Sequence, residues 1–290
     1  MTEQLVHPGR FDGQAAVVTG AASGIGLAIT RRLVAEGARV VAGDVSAEGL
    51  KALDVELGDQ VRTMVGDVTV EADVEALAAT CVDTYGRLDA GFNVAGGSRP
   101  ALIVDMTADD WDFTVDLCLK GVFLGIKHEA RRMIEAGTKG AIVNIASLNS
   151  RVPMFFGAAY SAAKAGVASL GRSAALELGE HGIRVATVSP GLTDTPLVAG
   201  MTGLPQVYDA FMERIPLQRP ATPEDIAAAA LFLASADGAY ISGANLFVDG
   251  GWEQTAYPDM RPLMADIAAA AETAETGAAA EVVEGGPGTS

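Results

Sequence analysis

Cysteine is scarce, with only Cys81 and Cys118 in 290 residues. Both lie in apolar segments with helical character, in a chain far too large to depend on one disulfide, so they read as reduced thiols. The three histidines, His7, His128 and His181, are scattered, and no HxxxH or CxxC spacing exists, so no catalytic metal is expected. Positive charge is short as well: 20 Lys and Arg face 37 Asp and Glu, a net charge of −17. Such a field repels phosphate backbones and anionic lipid, which argues against nucleic-acid and membrane partners. No stretch approaches the roughly 18 uninterrupted apolar residues of a membrane span, and Met1 to Arg10 has no apolar core of a signal peptide. A soluble cytoplasmic protein is expected. The signature of disorder is missing too, because 49% of residues are apolar and 20% are charged.

What is present is a rhythm. Short β-rich runs alternate with longer helical patterns to about residue 250, the βαβ signature of a parallel sheet covered on both faces. Seven strand candidates stand at Ala15–Val18, Arg39–Ala42, Val61–Val65, Leu88–Phe92, Ala141–Ile145, Arg184–Val188 and Asn245–Val248. The expected fold is therefore α/β, a single-domain doubly wound Rossmann fold with a seven-stranded parallel sheet. No Pro/Ser-rich linker interrupts it, so residues 1–254 are read as one domain. Two segments break the rhythm. Leu192 to Gln218 is a long connection carrying Pro196, Pro205 and Pro216, a length usual for functional lids. Residues 255–290 form an acidic Ala/Glu/Gly-rich extension with no Lys or Arg after Arg261, read as a frayed helix followed by disorder.

The first strand runs into Thr19-Gly20-Ala21-Ala22-Ser23-Gly24-Ile25-Gly26 and then a helical pattern. Glycines there permit a tight turn and let the backbone approach a pyrophosphate, while the helix N-terminus offers free N–H groups and a positive dipole end. Asp44 ends the second strand, where a carboxylate accepts hydrogen bonds from adenosine ribose hydroxyls and repels a 2′-phosphate. With no Arg or Lys at Ala21 to Ser23 or directly after Asp44, NAD is favoured over NADP. The competing reading is that Asp44 caps the helix starting near Ser46.

With these residues the sequence resembles a short-chain dehydrogenase/reductase over about residues 10–254. The TGxxxGxG motif is Thr19 to Gly26, and the Asp-Val pair after the third strand is Asp67-Val68, which places Asp67 against the adenine. The NNAG motif appears as Asn93-Val94-Ala95-Gly96, departing at its second position. The catalytic Ser matches Ser147, YxxxK matches Tyr160 to Lys164, and the PG motif is Pro190-Gly191. The cofactor set implied by the resemblance is Gly20, Ser23, Gly24, Ile25, Gly26, Asp44, Asp67, Val68, Asn93, Ala95, Gly96, Tyr160, Lys164, Pro190, Gly191, Thr193 and Thr195, with Thr195 at the nicotinamide carboxamide. The catalytic set is Ser147, Tyr160 and Lys164. One departure matters: Cys118 stands where the family has a catalytic Asn, whose main-chain carbonyl helps hold a water beside the Lys.

The chemistry of the residues agrees. Positions i and i+4 of a helix share a face, so the ammonium of Lys164 lies near the phenol of Tyr160. At about 5 Å and an effective dielectric of about 20, that charge favours phenolate by roughly 3 kcal/mol. Tyr160 is thereby brought into range as a general acid/base, with Ser147 fixing the substrate oxygen. A nucleophilic role for Cys118 lacks a neighbouring His.

The loops expected around the nicotinamide contribute Leu102, Met154, Phe155, Phe156, Leu197, Met201, Leu204, Tyr208 and Phe211, with Arg99 and Arg151 among few charges. They suggest a bulky apolar secondary alcohol or ketone, cyclic, steroid-like or aromatic, unless the arginines receive a carboxylate. The expected function is hydride transfer between NAD(H) and that substrate. The alternatives are a 3-oxoacyl-thioester reductase, for which Asp44 is the wrong cofactor signal, and a cofactor-sensing scaffold with weak catalysis. The resemblance also implies a homotetramer.

Overall fold

The apolar runs pair into a sheet because their β-branched residues alternate between two coverable faces. The computed structural model describes residues 6–199 and 205–255. Its strands are β1 (Ala15–Thr19), β2 (Arg39–Asp44), β3 (Val61–Val65), β4 (Ala90–Asn93), β5 (Ala141–Ile145), β6 (Arg184–Pro190) and β7 (Asn245–Val248). They form one sheet in the order β3-β2-β1-β4-β5-β6-β7, and every pairing is parallel. All seven expected strands are present. β4 starts two residues later than expected, at Ala90; just before it the Asp89 N–H donates to the Ala15 carbonyl at 2.8 Å and the Asp89 carboxylate accepts the Ala15 N–H at 2.9 Å.

Between the strands lie α1 (Gly24–Ala35), α2 (Ala47–Leu57), α3 (Glu71–Tyr85), α4 (Ala108–Val115), α5 (Gly121–Ala136), α6 (Ala158–Leu178), α7 (Pro205–Met212) and α8 (Pro223–Ala234). Ala16 and Val18 of β1 point to one face, where Ile29 and Leu33 of α1 and Ile226 and Leu231 of α8 complete a buried core. Ala15 and Val17 point to the other, against Leu77 of α3, Met133 of α5 and Val167 of α6. Helix ends follow the local chemistry. Thr222 and Asp225 make a reciprocal capping box at the start of α8, with Pro223 in the first turn. α4 passes into α5 through a π-helical turn, Asp116–Lys120, that carries Cys118.

Strand order reverses between β1 and β4, so the loops leaving their carboxyl ends part and open a crevice, the usual ligand position in such sheets. The chain divides into two units, residues 1–253 and 254–290. The expected acidic extension lies, apart from Thr255, outside the described residues, as do lid residues Met201 and Leu204. Among the described residues no helix is long and apolar enough to cross a membrane.

Candidate active site

Thr19, the last residue of β1, accepts the N–H groups of Val94 at 3.0 Å and Ala95 at 3.3 Å, so its hydroxyl ties the ends of β1 and β4 together. The turn that follows closes only with hydrogen at two positions. Gly20 has φ +67°, and a Cβ on Gly26 would lie 2.1 Å from the Gly20 carbonyl oxygen. α1 then begins at Gly24, capped in extended geometry by Ser23, whose side chain makes no capping hydrogen bond. The first-turn N–H groups thus remain available to an anion.

Asp44 accepts the Ala22 N–H at 3.0 Å and the Ser46 N–H at 2.9 Å. A carboxylate has about four acceptor sites, so two remain for other donors. Capping of α2 falls instead to Ser46, whose hydroxyl accepts the Gly49 N–H at 3.2 Å. Asp67 accepts both the N–H and the hydroxyl of Thr69 at 2.8 Å.

These residues surround one cleft of about 290 Å³. Of the expected cofactor residues, Gly20, Ser23, Gly24, Ile25, Gly26, Asp44, Asp67, Val68, Ala95, Gly96 and Thr195 line it. Its other walls are Val94 of the NNAG-like motif, Pro196 and Leu197 of the lid, and Val45, Gly66 and Leu117, which sequence reasoning did not single out. Val45 and Gly66 adjoin Asp44 and Asp67 in the chain, and Leu117 arrives through the π-helical turn. A larger surface hollow, about 770 Å³, lies at the opposite end of the strands, beside Asp89, Lys139 and Arg184. There the Arg184 guanidinium is already engaged by the carbonyls of Leu233, Ala234, Ser235 and Ile241.

Six expected cofactor residues do not line the cleft, Tyr160 and Lys164 of α6 among them. Pro190 ends β6, and Gly191 donates to the Val248 carbonyl at 3.0 Å while sitting so close to Asp249 that a Cβ would meet its Cα at 2.8 Å. Thr193 donates to the Gly191 carbonyl at 3.1 Å. Asn93 is 2% exposed, and its amide turns into the protein, donating to Glu129 at 3.1 Å and Asn144 at 3.0 Å.

Ser147 follows β5 and is 8% exposed. Its Oγ accepts the Asn149 N–H at 3.1 Å and donates to Asn149 Oδ1 at 3.2 Å. Tyr160 and Lys164 lie one turn apart on α6, with Lys164 Nζ 5.6 Å from the centre of the tyrosine ring. Lys164 is buried and donates to the Ile145 carbonyl at 2.8 Å. It adjoins the cleft: a Cβ on Gly96 would lie 3.3 Å from Nζ and 3.6 Å from the Sγ of Cys118. The buried Cys118 thiol donates to the Gly97 carbonyl at 3.0 Å, linking the π-helical turn to the cleft wall.

Around this constellation apolar side chains stand open to solvent, with Phe155 84% and Leu197 64% exposed. Ala101 donates to the Phe156 carbonyl at 3.0 Å, joining the connection after β4 to the one after β5. Phe156 holds φ +63°, an uncommon and strained conformation for a bulky residue. Of the lid residues, Phe211 packs edge-on against Trp252, ring centres 5.5 Å apart. Both arginines have partners: Arg99 pairs with Asp110 at 3.4 Å and lies over Phe113, and Arg151 pairs with Glu253. Among the described residues no His, Cys, Asp and Glu group is arranged to hold a metal ion.

Comparison with known proteins gives this geometry a family. A family model described as enoyl-(acyl carrier protein) reductase, of the short-chain dehydrogenase/reductase group, matches residues 20–253. The chain belongs to the short-chain dehydrogenase/reductase family. This short-chain dehydrogenase/reductase is 43% identical over 246 residues to D-threitol dehydrogenase of Mycolicibacterium smegmatis, spanning 84% of this chain and 94% of that protein. It is 44% identical over 249 residues to cis-4-hydroxycyclohexanecarboxylate dehydrogenase of Sinomonas cyclohexanicum, spanning 83% and 97%. The crystal structure of levodione reductase superposes with a TM-score of 0.81 at 36% identity, covering 85% of this chain and all of that one. As a family member the chain is an enzyme of the alcohol dehydrogenase and carbonyl reductase type, working with a nicotinamide cofactor.

Proposed function

We propose that this enzyme prefers NAD and interconverts bulky, apolar secondary alcohols, cyclic ones foremost, with their ketones. The observation that carries the reading is Asp44 on the same cleft as the glycine turn, with acceptor capacity left for ribose hydroxyls and a charge that opposes a 2′-phosphate. The cradle fits a dinucleotide, because the turn that a Cβ at Gly26 would fill is where backbone must approach the pyrophosphate. When bound, the nicotinamide accepts or supplies the hydride.

In this reading the chain's own groups do the rest. Thr195, at the cleft wall against Gly24, holds the carboxamide. The Tyr160 hydroxyl takes the proton from the alcohol in oxidation and returns it to the carbonyl oxygen in reduction. Lys164 is buried beside the cleft and sets its ammonium 5.6 Å from the centre of that phenol ring. Ser147 hydrogen-bonds the substrate oxygen and releases Asn149 to do so. The exposed apolar rim favours a bulky apolar body, and a cyclic secondary alcohol is named among the relatives' substrates. The prior engagement of Arg99 and Arg151 counts against a carboxylate there. A 3-oxoacyl-thioester reductase, closer to the description of the family model, is the second reading, and Asp44 counts against it. A cytoplasmic homotetramer completes the proposal.

The test is paired titration of the purified protein with NAD and NADP, followed by assay on cyclic and aromatic alcohols. NAD should bind more tightly, and Asp44→Ala should narrow the gap. Tighter wild-type binding of NADP would overturn the cofactor assignment.

A further inference from the structure

The buried face of β4 carries a group that the proposed chemistry does not use. Glu129 of α5 is 1% exposed, and its carboxyl lies under the sheet. Two glycines make room for it. A Cβ on Gly91 would lie 2.2 Å from the Glu129 carboxyl, and a Cβ on Gly125 would lie 1.8 Å from Asn93 Oδ1. The carboxyl receives one N–H, from Asn93 Nδ2 at 3.1 Å, which also donates to Asn144 Oδ1 at 3.0 Å. Three polar atoms of this cluster, Glu129 Oε1, Asn93 Oδ1 and Asn144 Nδ2, are buried with no hydrogen-bond partner among the described residues.

A carboxylate stripped of water is costly unless a cation or several donors compensate it. The surroundings supply neither. β4 and β5 present the neutral amides of Asn93 and Asn144. α3 presents Cys81, whose thiol burial and the carboxylates of Asp89 and Glu129 push up to about 12. On α5 itself, Lys127 and His128 are directed to Glu71. From α6, Lys164 donates to the Ile145 carbonyl and Arg172 is exposed. A neutral acid suits the cavity, since it needs no counter-charge and gains an O–H donor among acceptors.

We infer that Glu129 is held as a protonated carboxylic acid that positions Asn93, and through it the cleft-wall residues Val94, Ala95 and Gly96. Asn93 is the last residue of β4, and the three residues after it line the proposed cofactor cleft. Burial acts in the same direction, raising the Glu129 acid to about 8. The proton is therefore kept on folding and released on unfolding above the ordinary value of 4.5, so the stability that this group contributes is full below 4.5 and is lost as pH rises to about 8.

Denaturant unfolding of the wild type and Glu129→Gln between pH 5 and pH 9 reads this directly. Relative to the variant, the wild-type folding constant should fall about tenfold per pH unit, or about 1.4 kcal/mol, until it levels near the upper value. Parallel profiles would overturn the protonated acid. An independent arm uses only the wild type: its infrared spectrum at neutral pH should carry a protonated carboxylic-acid band that disappears in alkali, and lack of that band overturns the inference equally. For positioning, NAD affinity by fluorescence titration at neutral pH should stay within about twofold in Glu129→Gln and weaken at least tenfold in Glu129→Ala. Wild-type affinity in the alanine variant would remove the positioning role. This last arm rests on the NAD reading, whereas the unfolding and infrared arms involve no cofactor, so the two failures are distinguishable.

Discussion

Tyr160 is the group to which proton transfer is assigned, and α6 sets one buried residue beside it. Lys164 sits a single turn from Tyr160, buried, its ammonium held by one backbone carbonyl and 5.6 Å from the ring centre. Tyr160→Phe deletes one oxygen from a part-buried side chain and leaves the ring, so folding and cofactor binding should survive. Turnover should fall by about 10²- to 10⁴-fold, the usual worth of a positioned acid/base group, with NAD affinity within about threefold of wild type. Steady-state kinetics alongside a binding titration checks both; turnover near wild type would move proton transfer to another group. Cys118 shows the opposite kind of residue. Its family position predicts only a main-chain role, yet the thiol holds the Gly97 carbonyl beside Gly96 and Lys164, a contact that residue type alone does not reveal.

At the scale of elements, the glycine turn between β1 and α1 is the tightest constraint on the cleft. Gly26→Ala would drive a methyl group into the Gly20 carbonyl at 2.1 Å. The turn must open, which should cost about 1–3 kcal/mol, as overpacking does, and weaken NAD binding at least tenfold. Thermal unfolding with and without NAD measures both, and a variant with unchanged melting and affinity would mean that the turn is not the pyrophosphate cradle. This turn and the strands were legible because buried parallel strands read as unbroken apolar runs punctuated by glycine. That Tyr160 and Lys164 share a helix face is legible in their spacing, whereas Ser147 enters through the family motif. Other features leave no local trace. The start of β4 differs by two residues, and there the Asp89 main chain bonds Ala15 and Ala141 while its carboxylate also takes the Ala15 N–H, a contact no local pattern announces. The π-helical turn, Asp116–Lys120, changes no periodicity over so short a stretch. The environment of Glu129 depends on Gly91 and on Asn144, far away in the chain, so no window of sequence contains it.

At the scale of the whole molecule, α6 divides its small residues between two tasks. Ala159, Ala163, Gly171 and Ala174 are buried within the subunit, so that part of the small-residue pattern serves helix-to-sheet packing. Ala162, Ala165, Ser169 and Ser173 are exposed and recur at three- and four-residue steps, leading to Leu176 at 85% exposure. That outward stripe lets another backbone come close, and nearby α4 and α5 add Phe113 at 40% and Phe123 at 46% exposure. Burial of such side chains yields about 25 cal/mol per Å², which offsets the self-repulsion of subunits with a net charge of −17. Light scattering should therefore report a tetramer for the full chain, and raised salt should tighten it by screening that repulsion. The acidic segment after Asp259 adds negative charge and few large apolar side chains. A chain ending at Asp259 should consequently stay tetrameric and bind NAD as the full chain does. A monomer for the full-length protein would refute the assembly, whereas loss of tetramer or of NAD binding on truncation alone would show that the acidic segment packs against a neighbouring subunit or the cleft.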